Sequence, residues 1–231
     1  KLLGYVRLRV DHVAQAFAAL QGDPSRTLGL SAMLHSFFVE QVHELLISEF
    51  PQVYPIHGGG DELLLIGPWP ATLDMALRLR EAFAAGSGSS LTCSAGFTLA
   101  PVHAQLRAVA EQAGEQLQAA RAAGGNRLQA LGALLEWERA ASLVATAKEL
   151  AEWLERRAIS PAWLRRLADL RSFSNNGELR WRARLQSVVR EPRIKHRQAR
   201  EWAERLLSAT ERADSDWSWM VFLARYALLA M

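Results

Sequence analysis

VYPIHGGGDELLLIG, residues 53–67, places apolar runs on both sides of three glycines and two adjacent carboxylates, Asp61 and Glu62. The runs read as two short strands, QVYPI (52–56) and LLLIG (63–67), joined by a glycine turn with a charged tip. Glycine at 58 to 60 lets backbone approach a ligand without a Cβ in the way. The tip is either a tight hairpin end or a metal-holding turn. What the rest of the chain brings to it decides between them.

Upstream, GYVRLRV (4–10) alternates apolar and basic residues as a strand with one exposed face does. From Asp11 to Leu20, Val13, Ala16, Phe17 and Leu20 fall at helical spacing, and QGDPSR (21–26) is a loop. A long helix over about 28–50 is predicted to bury Leu30, Leu34, Phe37, Phe38, Val42, Leu45 and Leu46. Downstream, GPWPATLD opens a helix that runs to about Ala85 and stops at GSGSS. LTCSAGFTL (91–99) reads as a strand, and a helix from about His103 to Ala123 ends at Gly124–Gly125. NRLQAL (126–131) makes a last strand. The order β-α-α-β-β-α-β-α-β predicts an α+β fold, a ferredoxin-like palm with its helices on one face, over residues 1–133. After Gly132 no further strand is expected. Residues 134–231 read as several helices, broken near ISPAW and SNNG, forming an all-α C-terminal domain.

Composition is that of an ordinary globular protein, with 50% hydrophobic and 22% charged residues, which excludes a disordered chain. No apolar run approaches the roughly 20 residues that cross a bilayer, and no export signal opens the chain. No membrane partner is expected, and the simplest localisation is cytoplasmic. Lys1 in place of methionine reads as a trimmed or partial product. A single cysteine, Cys93, excludes an internal disulfide and a cysteine-rich zinc site. Charge is asymmetric: residues 1–133 carry 9 Lys+Arg against 11 Asp+Glu, and residues 134–231 carry 18 against 13. The basic stretch from Arg156 to Arg200 either neutralises phosphates or an acidic protein face, or is a set of solvated helix surfaces. Seven tryptophans fall at 137 and beyond, and helical packing accounts for most of them.

Two acids on a hairpin turn, beside a first strand that ends in Asp11, is the arrangement of palm-type nucleotide enzymes. Mg²⁺ needs oxygen ligands and bridges them to substrate phosphates, so neighbouring strands must supply carboxylates. Further segments complete a pattern. VDHVAQAF, SRTLGLSAMLHSFF, GGDELLLIGPW, LTCSAGF and AARAAGGNRLQALG occur in that order across residues 4–132. Together they resemble the second palm domain of the large subunit of type III CRISPR effector complexes, and the helices that follow resemble that subunit's C-terminal domain. The corresponding family segments are Asp-x-Asp-Asn-Leu-Gly, a Ser-Arg loop, a Gly-Gly-Asp-Asp turn, a Ser-Ala-Gly strand and Ala-Lys-x-x-Gly-x-Asn-Arg.

The resemblance implies a subunit of an RNA-guided defence complex, with guide RNA, target RNA and sibling subunits as partners. It implies a palm that joins ATP, with Mg²⁺ or Mn²⁺, into cyclic oligoadenylates. By position it makes Asp61 and Glu62 catalytic metal ligands and sets Ser25, Arg26, Gly59, Gly60 and Arg121 at the nucleotide. The basic residues Arg180, Arg182, Arg184, Arg193, Lys195 and Arg197 would face RNA or a neighbouring subunit. The large subunit's nuclease domain, first palm and zinc-bearing connection have no counterpart in this sequence, which reads as a C-terminal part or a reduced version.

Departures from the pattern bear on activity. Arg9 stands where the family's first strand-end aspartate faces the turn, and a guanidinium is a permanent cation that cannot ligate Mg²⁺. If Arg9 points at the turn, it pairs with Asp61 or Glu62 in the metal's place. Glu62 replaces an aspartate, His12 takes a usually polar position, and Arg121 replaces a phosphate-contacting lysine. The reading is therefore a palm that keeps its fold and has lost or greatly weakened its cyclase activity. The alternatives are an active cyclic oligoadenylate synthase in the same complex and a degenerate diguanylate-cyclase-like domain, whose turn would carry phenylalanine where Leu63 stands. A subunit with no nucleotide site at all is a third. His35 and His43 are not at metal spacing, His57 reads as a solvated turn residue, and Cys93 as a small buried side chain.

Overall fold

The computed structural model describes residues 1–20, 22–88, 91–174, 186–188, 197–210 and 218–231. They separate into two compact units, residues 1–130 with 134–140 and residues 131–133 with 141–231.

In the first unit β1 (Leu2–Val10) leads through the short α1 (Val13–Ala19) into a helix that begins at α2 (Pro24–His35) and ends at α3 (Val42–Ser48). Asp23 caps its start, accepting from the Arg26 N–H at 3.1 Å, and Pro24 occupies the first turn, where no amide donor is missed. Between α2 and α3 the helix widens into a π-turn, Ser36–Gln41. Phe37 and Phe38, consecutive in sequence, are both buried there, with rings edge-to-face at 5.1 Å and Phe37 also against Phe83 at 4.9 Å. A regular helix turns such neighbours about 100° apart, and the wider turn brings both into the core. Leu34, Val42, Leu45 and Leu46 are buried with them, whereas Leu30 is only partly covered.

The chain continues through β2 (Tyr54–Gly59), β3 (Glu62–Pro68), α4 (Trp69–Gly86), β4 (Cys93–Pro101), α5 (Leu106–Ala122), β5 (Arg127–Ala130) and β6 (Ala133–Glu136). The sheet has six strands in the order β2-β3-β1-β4-β5-β6. β1 is central and antiparallel to both β3 and β4, and β5 joins β4 in parallel. Successive side chains of a strand point to opposite faces. Tyr5 packs with Val109 and Ala113 of α5, whereas the adjacent Gly4 has only 2.8 Å between a built Cβ and the backbone of Trp69 at the start of α4. Helices therefore cover both faces, not one. The parallel β4-α5-β5 crossover carries α5 over the sheet on the side away from α4.

A further strand after Gly132 corrects the sequence reading. Leu131 and Gly132 have φ of 49° and 83°, the left-handed pair of a two-residue turn between β5 and β6. Leucine is an unusual residue for that conformation, so the sequence carries no turn signal there. Trp137, at the start of α6 (Trp137–Glu155), donates from its indole to the Cys93 carbonyl at 2.9 Å.

In the second unit, α6 continues into α7 (Pro161–Ser174), α8 (Arg197–Thr210) and α9 (Ser218–Ala230). Trp153 and Trp163 lie edge-on to Trp202 at 6.4 and 6.2 Å, and Arg225 of α9 donates to the Leu131 carbonyl at 3.0 Å. No helix among the described residues is long and apolar enough to cross a membrane.

Gly96 is where α5 comes closest to the sheet: a Cβ there would lie 2.3 Å from the Ala113 carbonyl and the Leu117 amide. Gly96→Ala is expected to lower stability by about 1–3 kcal/mol through forced displacement of α5. An unchanged urea midpoint would contradict this packing. Burial pushes the Cys93 thiol from 9.0 up to about 12. The unfolded chain therefore loses this proton first, so the thiol's contribution to stability is intact below about pH 9 and declines toward pH 12. At pH 8 a thiol reagent should label Cys93 in denaturant and spare it in native buffer. Equal labelling rates would place the thiol at the surface.

Candidate functional site

The charged turn is a two-residue hairpin loop. Gly59 pairs with Glu62 at the end of β2 and β3, leaving Gly60 and Asp61 as the loop. Gly60 has φ of 65° at the first central position, the requirement of the mirror-image turn that suits the twist of paired strands. Gly59, with φ of 152°, completes the bend.

β1 supplies the opposing face. Arg9 lies directly across from Glu62, and the Val10 N–H donates to the Asp61 carbonyl at 2.9 Å. Arg7 and Arg9 of β1, and Asp11 just past its end, lie on one side of the sheet. From there the Arg9 Nε donates to Asp61 Oδ2 at 2.8 Å, and the Arg7 Nε pairs with Glu62 Oε1. The hydrogen bond to Asp61 raises the Arg9 pKa, desolvation opposes it, and the charges of Asp61 and Glu62 raise it further. The guanidinium is thus a fixed cation. The Arg9 and Asp61 side chains keep 38% and 27% of their exposure, so solvent screens the pair and its contribution is at most about 1 kcal/mol.

The buried carboxylate of the region is Asp11, only 3% exposed, which the sequence reading sets at the end of the first strand beside the turn without giving it a role of its own. Its carboxylate accepts from Thr92 Oγ1 at 2.9 Å, Ser94 Oγ at 2.8 Å and the Asn126 N–H at 2.8 Å, with the Arg121 Nε at 3.8 Å. Asp11 therefore joins the end of β1 to the start of β4 and to the Gly124–Asn126 loop that closes α5. The sequence did contain a signal. Thr92 and Ser94 sit two apart at a strand start and so present two hydroxyl donors on one face.

The structure brings together Asp61, Glu62, Gly59 and Gly60 at one turn and sends Arg121 to Asp11. Ser25 and Arg26 are exposed in the first turn of α2, where the Arg26 guanidinium pairs locally with Asp23 at 3.4 Å. Arg197 is exposed on α8 and pairs with Glu201 one turn on at 2.7 Å, which raises its pKa. Arg180, Arg182, Arg184, Arg193 and Lys195 lie outside the described residues. His35, His43 and His57 are exposed.

Divalent cations of the Mg²⁺ class require several oxygen ligands converging on one point. Here each carboxylate of the turn is engaged by a guanidinium, and the facing strand offers Arg9 and Arg7 in place of oxygens. The donor set does not fit the metal.

Residues 2–129 match the family described as Cas10/Cmr2, second palm domain. The chain is 35% identical over 118 residues to the CRISPR system single-strand-specific deoxyribonuclease Cas10/Csm1 (subtype III-A) of Enterococcus italicus, covering 48% of this chain and 15% of that protein. It is 30% identical over 151 residues to the protein of the same description in Mycobacterium tuberculosis, covering 56% of this chain and 18% of that protein. It therefore aligns with under a fifth of the length of these curated relatives. Among solved structures, its fold is similar to a Csm1–Csm4 cassette in complex with pppApApA, with TM-score 0.79, 18% identity, and coverage of 99% of this chain and 37% of that one. It is likewise similar to a cassette in complex with cA3, with TM-score 0.77 and 19% identity over 100% of this chain and 36% of that one.

Two stability measurements rank these contacts. Asp11→Ala should cost roughly 3 kcal/mol, because it leaves the buried Ser94 hydroxyl and the part-buried Thr92 and Asn126 donors without their acceptor. A double-mutant cycle on Arg9→Ala and Asp61→Ala should give a coupling of about 1 kcal/mol or less. A larger value for the exposed pair than for loss of Asp11 would reverse the ranking.

Proposed function

This chain belongs to the family of Cas10/Cmr2 second palm domains, and from that premise we propose that it works within an RNA-guided type III CRISPR effector complex as a subunit with a degenerate palm. Its first part is a ferredoxin-like palm of the nucleotide-cyclase type that includes β6, and the helices that follow form an all-α C-terminal domain. Its partners are guide RNA, target RNA and sibling subunits, among them one of the Csm4 kind, with which the solved Csm1 structures are assembled. The basic stretch from Arg156 to Arg200 supplies a surface for RNA or a neighbouring subunit.

The observation that carries the degenerate reading is the Arg9 guanidinium on the Asp61 carboxylate. A palm that joins nucleotides needs a metal where this cation sits, because the ion both holds the triphosphate and neutralises the charge that develops on it. Arg9 neutralises the turn but has no open coordination position and cannot activate a nucleophile. The chain's residues at the turn therefore hold two strands together, while Ser25, Arg26 and Arg121 retain the chemistry for phosphate contact without the means to transfer it.

Expressed with its siblings, the chain should co-purify with guide RNA. The complex, given target RNA, ATP and Mg²⁺ or Mn²⁺, should yield no cyclic oligoadenylate. Failure to co-purify with RNA and siblings would remove the complex from the reading. Product that disappears in Asp61→Ala would establish an active palm.

A further inference from the structure

The turn is closed by two arginines, and the second is Arg7. It lies two residues from Arg9 on the same face of β1, and its Nε pairs with Glu62, whose side chain is only 18% exposed. In the strand register Arg7 stands opposite Leu64, so it reaches diagonally to Glu62, while Arg9 reaches to Asp61. Each acid of the turn thus has its own cation.

The packing on the other side seats Arg7 there. Helix α5 has glycine at position 114, and a Cβ at that position would lie 2.8 Å from Arg7 Nη1. Any larger residue would press the guanidinium away from α5. Arg7 and Arg9 then line a groove of about 380 Å³ with Glu62, Glu111, Glu115 and Gln118. It is a strip of alternating charge in which the only carboxylate on the sheet side, Glu62, is already paired.

Resting on the degenerate-palm reading, we propose that Arg7 and Gly114 form a second, independent lock on the turn, so that restoring an aspartate at position 9 does not by itself restore a divalent-cation site. In Arg9→Asp, residues 9, 61 and 62 present three carboxylates, but the Arg7 charge remains within ion-pair distance of Glu62. A guanidinium that close both occupies a ligand oxygen and repels an incoming dication. Removing both arginines frees all three carboxylates.

The test is Mn²⁺ binding to the full chain, read by loss of the free-Mn²⁺ electron paramagnetic resonance signal, with circular dichroism confirming the fold of every variant. Wild type, Arg9→Asp and Arg7→Gln should show no saturable binding at millimolar Mn²⁺. The Arg7→Gln/Arg9→Asp double variant should bind at least about tenfold more tightly than either single variant. Arg7→Met combined with Arg9→Asp removes the same charge but keeps an apolar stem and should show the same gain, which keeps the test available if the first double variant does not fold. Binding by Arg9→Asp alone as tight as by the double variants would overturn the Arg7 lock and leave the degenerate-palm reading standing. A folded double variant blind to Mn²⁺ would overturn it too. Saturable binding by the wild type that is lost in Asp61→Asn would overturn both.

Discussion

The register of β1 between β3 and β4 is the constraint on which the rest of this sheet depends. Nine of its residues pair with β4 and seven of these also with β3, so their alternation sorts side chains into two environments at once. Val6, Leu8 and Val10, together with Gly4, enter the core on the α4 side, while Tyr5, Arg7, Arg9 and Asp11 lie on the α5 side. A slip of one residue would send two arginines into the apolar layer and strand the leucine and valines beside α5. The burial of Val6, Leu8 and Val10, each at most 1% exposed, makes that exchange prohibitive. The charged end of the strand is held in place by its apolar half.

Two kinds of polar contact follow, and they do different things. Asp11 is buried, and its partners come from β4 and from the loop after α5, so it fixes backbone segments distant in sequence. Its place in the low-dielectric interior makes every one of those donors costly to leave unmet. The Arg9–Asp61 and Arg7–Glu62 pairs lie nearer the surface and add little to stability. What they determine is charge: a turn that would otherwise carry two negative charges is neutral without any bound ion. Asp11 builds the frame, and the arginines set what the frame can hold.

The main elements were legible because their signals are periodic. GYVRLRV reads as a strand from its alternation, the hairpin from its glycines, and the long helix from its apolar spacing. The unread features lack such signals. β6 follows a turn with leucine in a left-handed conformation, the π-turn depends on two adjacent phenylalanines sharing one core, and the side taken by α5 depends on the handedness of a crossover. At the site, Arg9 stood out because it departs from a family pattern at the end of the strand that meets the turn. Arg7 did not, because its reach to Glu62 is diagonal and depends on the missing Cβ at Gly114, a contact between segments more than a hundred residues apart. Asp11 is legible as the end of a strand, but its partners are donors from two other segments, the start of β4 and the loop after α5.

The fold of this palm does not rest on an ion at the turn. The sheet is set by the apolar side of β1, and the loop after α5 by Asp11, so neither depends on an ion at the turn. The acids at 61 and 62 then face one physical demand, which is that two neighbouring carboxylates on a tight hairpin need a counter-charge. A dication meets it from solution, reversibly, and a guanidinium meets it covalently tethered from the next strand. The tethered form gains from proximity, since the cation is held at its place whenever the strands pair. It gives up exchange, because Arg9 is part of the chain. The same two acids therefore serve opposite ends according to the residue across from them, and the presence of Gly-Gly-Asp-Glu in a sequence says less about chemistry than the side chains that β1 points at it.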